Sequence, residues 1–370
     1  MEAWGTSEQR GAEVVTISLC MIVKDEEATL WNCLDSVKDI ADEIIIVDTG
    51  STDRSKEIAS EFTDKIYDFE WVGNFEPARN FSFKHATMDY ILWLDADDVL
   101  LEEDQKKFLE LKKDLDPSVD SVSMIYNYGF DEYGNVTLSF RRNRLVKRSR
   151  NFQWEGDCHV YLVVSGEILD TDICVSHKRV HHSTGRNLAI YEKRLEKGDS
   201  FSPRDFYYYG NELSENGHFE RAIESYTACL DMEEGWREDK IAACSRLADC
   251  YGKIGELEKQ RLALYKSFQY DVPRPEVCCR LGDLLAKEKN YRAAVFWYEC
   301  AIDYVQPSEN WGFTYKAYST WIPHQNLCKC NYYLQNFEKS YEHNEIARKY
   351  RPEDSGILHN KKLLEDKLKI

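Results

Sequence analysis

Between Val15 and about His177, short apolar runs alternate with stretches of helical period. "VVTISLCMIV" reads as a strand, Glu27 to Lys38 as an amphipathic helix, and "DEIIIVD" as a second strand. Thr52 to Phe62 is predicted helical, "KIYDFE" a third strand, Ala78 to Ala86 a helix, and "YILWLD" a fourth strand. Strands alternating with helices predict βαβ units and a mostly parallel sheet, and such sheets bind ligands at the carboxyl ends of their strands. Three polar clusters fall at those ends: Lys24-Asp25-Glu26, Asp48-Thr49-Gly50-Ser51 and Asp95-Ala96-Asp97-Asp98. They are far apart along the chain, yet the topology lets them converge on one crevice.

From about Ser202 the strand pattern vanishes and aromatic-rich helices take over. Gly210, Ala248, Gly282 and Cys328 align, each after a large apolar residue (Tyr209, Leu247, Leu281, Leu327), and Gly217, Gly255, Asn290 and Asn336 mark turns. Tyr226, Leu264 and Tyr298 follow on the buried face of each second helix. A period of about 34 with small, apolar and turn positions in this order is the tetratricopeptide pattern. The fourth copy follows an insertion around Pro307 to Pro323 and ends at Pro352. Repeats of this kind build concave binding surfaces. Their aromatics read mainly as core, Trp297 and Tyr298 included, whereas Trp311, Tyr315 and Trp321 lie in the insertion and are candidates for partner contact or self-association.

The remaining composition narrows the class. The 370 residues carry a net charge of −18, which argues against nucleic acid or an anionic membrane as the main partner. No apolar stretch approaches the ~20 residues of a membrane span. Residues 1–13 lack a signal-peptide layout and read as a disordered start, so a cytoplasmic protein is expected. Twelve cysteines show no C-x-x-C spacing and sit mostly among apolar residues, which fits buried reduced thiols better than structural zinc.

The chemistry concentrates in "ILWLDADDVL", where Asp95, Asp97 and Asp98 follow a buried apolar run. Crowded carboxylates repel one another and are costly to desolvate without a counter-charge. A hard divalent cation, Mg²⁺ or Mn²⁺, suits carboxylate oxygens and accepts phosphate oxygens as further ligands. The structural alternative is that an aspartate caps the helix starting in "DDVLLEEDQKKFLEL". One carboxylate suffices for a cap, so three favour the metal site.

At this point the residues resemble a known family. "SLCMIVKDEEATLWNCLDSV", "EIIIVDTGSTDRS" and "ARNFSFKHATMDYILWLDADD" look like family 2 glycosyltransferases of the GT-A fold, with a fainter likeness in "RRNRLVKR" and "FQWEGDCHVY". The layout with tetratricopeptide-like repeats is similar to a bacterial subgroup that includes SunS-like peptide S- and O-glycosyltransferases acting on bacteriocins, and lipopolysaccharide-core and flagellin enzymes. The resemblance implies that Val23, Glu26 and Asp48 line a nucleoside pocket, with Asp48 accepting from a uracil edge. It places Arg79 and Asn80 near the nucleotide or donor sugar, Asp95 at the ribose or a metal-bound water, Asp97 on the metal, and Asp98 at the donor sugar. His177 is implied as a further metal ligand, while His181 and His182 stay unassigned, as open candidates for a phosphate contact.

The family often has His-Glu where this chain has His159-Val160. Glu155, Asp157 and His159 remain as candidate catalytic bases, and a cysteine acceptor would need less help than a serine. The basic cluster Arg141, Arg142, Arg144, Lys147, Arg148 and Arg150 reads partly as a solvated hairpin and partly as a contact for an acidic acceptor or the diphosphate. The sequence thus predicts a GT-A domain over 14–200 and a helical-repeat domain over 201–370. The expected activity is metal-dependent, inverting transfer of a hexose from a UDP-sugar to a Cys, Ser or Thr side chain of a peptide or protein, with homodimerisation possible through the repeats. The alternatives are a lipopolysaccharide-core or other glycan acceptor, and a non-catalytic adaptor whose transferase domain has decayed.

Overall fold

A computed structural model of the chain describes residues 14–156, 158–178, 185–303 and 311–370. It divides into two compact units. The first runs to Asn127 and resumes from Arg141 to 182; the second comprises Tyr128–Phe140 and 183 to the end.

The first unit is an eight-stranded sheet in the order β3-β2-β1-β4-β7-β6-β10-β5. The strands are β1 (Ile17–Val23), β2 (Glu43–Asp48), β3 (Ile66–Asp68), β4 (Tyr90–Trp93), β5 (Asp98–Val99), β6 (Ser121–Phe130), β7 (Val136–Lys147) and β10 (Ile168–His177), with β8 (Trp154–Glu155) and β9 (Tyr161–Leu162) forming a separate antiparallel pair. β3, β2, β1 and β4 run parallel, as do β10 and β6, while β7 and β5 are antiparallel to β4 and β10. Helices α1 (Leu30–Val37), α2 (Ser55–Ser60), α3 (Phe75–Lys84) and α4 (Glu102–Asp114) complete the expected α/β unit. α3 starts three residues earlier than its apolar pattern suggests, because the Asn74 side chain accepts from the Glu76 amide and caps it. α4 has no side-chain cap, and Asp98 lies in a strand instead. The capping alternative for these aspartates is therefore removed.

The central strands are buried on both faces, so charge at their amino ends needs a partner. Glu43, 6% exposed, accepts from the Ser18 hydroxyl, the Lys65 ammonium and the Thr87 amide and hydroxyl. Burial alone would raise its pKa; the bonds from Lys65, Ser18 and Thr87 outweigh it and bring it down to about 2. A depressed carboxylate stabilises the fold above its unfolded value near ~4.3, and the contribution fades as pH falls towards 2. Glu43→Gln is expected to cost about 1–3 kcal/mol at pH 7 and much less below pH 3, measured by urea unfolding across that range.

The second unit is helical. α5 (Arg186–Glu196) precedes four antiparallel pairs: α6 (Pro203–Glu215) with α7 (Phe219–Asp231), α8 (Arg237–Lys253) with α9 (Leu257–Lys266), α10 (Pro275–Lys287) with α11 (Tyr291–Ile302), and α12 (Trp321–Tyr333) with α13 (Phe337–Tyr350). α14 (Ser355–Leu368) closes the array. α5 joins this unit because buried Tyr191 packs on Phe201 and Tyr209, each 5.7 Å away, so the division falls near 182 and not 200. The aligned small residues have a steric reason. A Cβ on Gly210 or Gly282 would meet the ring of Tyr226 or Tyr298 at 2.6 Å. The fourth copy obeys the same spacing, with Cys328 facing buried Asn344, whose amide also donates to the Ile357 carbonyl of α14.

The turns refine the sequence pattern by one residue. The left-handed positions are Gly217, Gly255, Lys289 and Gln335, each seven residues after the small residue, and Asn290 and Asn336 start the next helix. A side chain in that region carries strain of about 1 kcal/mol that glycine lacks. Lys289→Gly, at φ 62°, is expected to stabilise this unit by about 0.5–1 kcal/mol after the unfolded-state entropy is offset, read as a rise in thermal midpoint. Trp321, expected at a partner surface, is instead 4% exposed and packs on Tyr350 with ring centroids 5.9 Å apart, because it starts α12 on the core side. Trp311 and Tyr315 are half-buried. All twelve cysteines are free thiols, nine of them buried. Among the described residues no helix is long and apolar enough to cross a membrane.

Candidate active site

The parallel register aligns the carboxyl ends of β1 and β2, with Val23 opposite Asp48. Their loops are then stapled together. The Asp25 carboxylate accepts from the Thr52 amide at 2.7 Å, the Glu26 amide donates to Ser55 at 2.7 Å, and the Glu27 amide donates to Asp53 at 3.0 Å. Asp25 holds a left-handed φ of 53° to make this turn. The Val23 carbonyl accepts from the Thr49 amide and hydroxyl. Asp48 is 2% exposed and accepts from the amides of Gly50 and Ser51, which turns its carboxylate into its own loop. Glu26 accepts from the Thr29 hydroxyl at 2.7 Å. The first two polar clusters thus form one preorganised ledge.

The third cluster is built differently. β5 pairs antiparallel with β10, and that register sets Asp98 opposite His177, 79 positions further along the chain. His177 Nδ1 lies 3.3 Å from Asp97 Oδ1 and 3.5 Å from Asp98 Oδ1, and the Tyr126 hydroxyl is 3.0 Å from the same nitrogen. Burial lowers the imidazole pKa, but Asp97 and then Asp98 overcome it and raise it to about 9. Ligand atoms of Asp97, Asp98 and His177 all lie within 4.8 Å of one another. Asp98 Oδ1 is buried without a hydrogen-bond partner, an acceptor left open beside a second carboxylate and an imidazole. Two hard oxygens and one borderline nitrogen suit Mn²⁺ or Mg²⁺, so these residues fit the expected cation.

Part of the counter-charge to the aspartates comes from the protein itself. Arg144 and Asp98 are both fully buried, with Nη2–Oδ2 at 2.9 Å. The Arg144 guanidinium lies 4.0 Å from the Trp93 ring centroid and 4.4 Å from that of Tyr126, and Nη1 donates to the Trp93 carbonyl. Asp98 Oδ2 also accepts from the Asp95 amide at 3.0 Å, fixing the turn. Asp98 therefore has no surface for the donor sugar expected of it. Asp95 is more open and pairs with Arg79 at 2.5 Å. Burial opposes its ionisation, but Arg79 and then Arg144 prevail and hold its pKa near about 2. Arg79 in turn lies over the rings of Trp154 and Trp93, at 4.7 and 5.2 Å.

Asn80 also departs from expectation. Its amide donates to the Trp154 carbonyl and its oxygen accepts from the Trp154 amide, so it pins β8 to α3. That clamp brings Glu155 next to the Trp154–Arg79–Asp95 chain. Glu155 is exposed and accepts from the Tyr161 hydroxyl at 3.0 Å; His159 is half-buried; Asp157, His181 and His182 lie outside the described residues.

The basic cluster is spread over several tasks. Arg141 donates to Ser123 and the Thr171 carbonyl, Lys147 to the Pro117 carbonyl, Arg148 to the Met88 carbonyl, and Arg150 to Ser165. Arg142 acts on the charge of Asp95. Sequence reasoning missed Arg144 as the partner of Asp98, Tyr126 beside His177, and Cys33, whose thiol donates to the Asp95 carbonyl at 3.4 Å. An arginine inside a basic run gives no sign that it alone is buried.

Residues 18–171 match the family model for glycosyl transferase family 2, and residues 275–304 match that for a tetratricopeptide repeat. Over those residues the chain carries a family 2 glycosyl transferase domain, joined to a tetratricopeptide-like helical domain. Its relatives include a TPR repeat-containing protein of Synechococcus elongatus, 29% identical over 77% of this chain and 67% of its own length. The SPbeta prophage-derived glycosyltransferase SunS of Bacillus subtilis is 27% identical over 58% of this chain and 53% of its own. An uncharacterized glycosyltransferase of Rickettsia typhi is 37% identical over 24% of this chain and 30% of its own. The chain thus spans about half of SunS and two thirds of the Synechococcus protein. Among solved structures, MamA aligns at 18% identity over 42% of this chain and 82% of its own, with a TM-score of 0.34.

Proposed function

We propose that the chain transfers a hexose from a UDP-sugar to a Cys, Ser or Thr side chain of a peptide or protein, with inversion and with help from a divalent cation. The observation that carries this reading is the meeting of Asp97, Asp98 and His177 at the carboxyl end of the sheet. Asp97 and His177 are the proposed ligands, with Asp98 Oδ1 turned towards them. When bound, the cation supplies Lewis-acid stabilisation of the diphosphate leaving group.

The protein's own residues have distinct tasks. The ledge of Val23, Glu26 and Asp48 presents the nucleoside pocket in a fixed shape, which limits the entropy lost on binding. Arg79 and Asp95 form its far wall, and the flanking tryptophans restrict Arg79 to one arrangement. A base among Glu155, Asp157 and His159 takes the proton from the acceptor's hydroxyl or thiol. The freed lone pair attacks the anomeric carbon while the bond to the diphosphate oxygen breaks, and UDP leaves with that electron pair. A cytoplasmic setting suits a nucleotide-sugar donor, and the helical repeats suit a protein acceptor.

The test is calorimetric titration of UDP into the full chain with Mn²⁺ and with EDTA, followed by a screen of UDP-hexoses for hydrolysis. Saturable, metal-dependent binding is the expected result. Binding unchanged by EDTA would remove the metal site from this reading, and no binding with no turnover would favour the adaptor alternative.

A further inference from the structure

The first helix of each repeat presents the same two positions on one face. Two residues before the small residue stand Arg246, Arg280 and Asn326 in the second to fourth copies; one residue after it stand Asp249, Asp283 and Lys329. In the third and fourth copies the side chain of the first set reaches back to the carboxylate of the preceding repeat. Arg280 pairs with Asp249 through two bonds of 2.8 Å, and Asn326 donates to Asp283 at 3.2 Å. The chain's own backbone is seated on this face. Tyr315 lies close enough to Arg246 and Tyr207 to act on both, the Tyr318 ring lies 5.2 Å from the Arg280 guanidinium, and the Tyr318 carbonyl accepts from the Cys279 thiol. Thr314 holds the segment by two backbone bonds to Ser139, at 3.0 and 2.7 Å. The inner face from α6 to α10 therefore already holds a segment of the chain itself, a short bridged stretch at Thr314 followed by a 3-10 turn over Lys316–Ser319.

At the fourth copy the filling by described residues stops and the chemistry reverses. Lys329 stands where the two preceding copies have aspartate, is exposed, and has no carboxylate within 4.0 Å among the described residues. Beside it a cavity of about 410 Å³ opens between α12 and α14, floored by Leu363 and Leu364 and walled by Gln325 and Asn360. Those two side-chain amides make no hydrogen bond among the described residues, and each offers both a donor and an acceptor, the pair that a peptide unit needs. The acidic wall residue, Asp354, is already engaged by the Ile357 amide at 3.0 Å and by Arg351 at 3.5 Å.

We propose that this cavity continues the track filled by residues 311–319 and docks an extended segment of the acceptor polypeptide. The segment carries a carboxylate side chain that meets Lys329 and a large apolar side chain that sits on Leu363 and Leu364, with its backbone held by Gln325 and Asn360. The proposal rests on the peptide-acceptor reading and narrows it: the solenoid binds its acceptor at its C-terminal end, because the rest of its inner face is taken. The net charge of −18 does not forbid an acidic ligand, since repulsion from charges beyond ~10 Å is largely screened at physiological salt.

The experiment uses the full chain in EDTA without donor, so a failed transferase reading leaves it interpretable. Fluorescein-labelled Gly/Ser decapeptides carrying one Glu and one Phe at varied spacing are titrated by anisotropy, with Glu→Gln and Glu→Lys counterparts. At least one Glu peptide is expected to bind, and Lys329→Glu to weaken it about tenfold. The Lys peptide should bind the variant better than the wild type. Lys329 is exposed, so the variant is expected to fold, which its melting curve checks. Equal binding by wild type and variant, or no binding by any Glu/Phe peptide, overturns the proposal. So does loss of binding through concentration-dependent self-association, since a second copy would then cover the cavity.

Discussion

Asp97→Ala is expected to abolish metal-dependent UDP binding and to lower sugar-donor turnover by on the order of 10³-fold, while the thermal midpoint stays within a few degrees of the wild type. The split between function and stability follows from position. Asp97 is only partly buried and its carboxylate faces His177 at 3.3 Å, so its loss removes a negative charge from a crowded pair without opening a cavity. Relief of like-charge repulsion with Asp98 offsets part of the lost contact. Titration calorimetry with and without Mn²⁺, beside a melting curve, separates the two effects. A variant that still binds UDP only when metal is present would sink the assignment of Asp97 as a ligand.

Arg144→Met should do the opposite and damage the fold first. The guanidinium and Asp98 are fully buried and paired at 2.9 Å, with aromatic rings on the guanidinium. Removing one partner leaves a carboxylate in an apolar site, a loss of about 3–5 kcal/mol. The site should suffer as well, because Asp98 fixes the Asp95 amide and leans on His177. Arg144→Met combined with Asp98→Asn is expected to recover much of the stability, since the uncompensated charge is gone, but not donor binding. Denaturant unfolding of both variants is the measurement. A single variant as stable as the wild type would mean that water or another cation reaches Asp98.

Much of this protein was legible in its sequence because short-range pattern carries it. Continuous apolar runs such as "EIIIVD" specify strands buried on both faces, and the glycine opposite a tyrosine sixteen residues later specifies how two helices close. The three polar clusters were predictable at one edge of the sheet, since parallel strands present their carboxyl ends together. The resemblance to family 2 enzymes singled out Asp97 and His177, and the structure brings their ligand atoms within 4.8 Å of each other. Only the tertiary structure decided which charges are spent. Asp97 and Asp98 are adjacent and identical in type and both reach His177, yet Asp97, in the turn before β5, stays partly exposed while Asp98, inside β5 and paired with β10, is sealed against Arg144. Six basic residues between 141 and 150 look alike in a string, and burial singles out one of them. The inner face of the helical repeats reads as a concave binding surface in sequence, whereas residues 314–318, which carry no repeat signature, pack back onto it from α6 to α10. Periodicity encodes what a segment does with its near neighbours; charge pairing and groove occupancy depend on residues tens to hundreds of positions away, whose meeting is settled only when the chain has closed on itself.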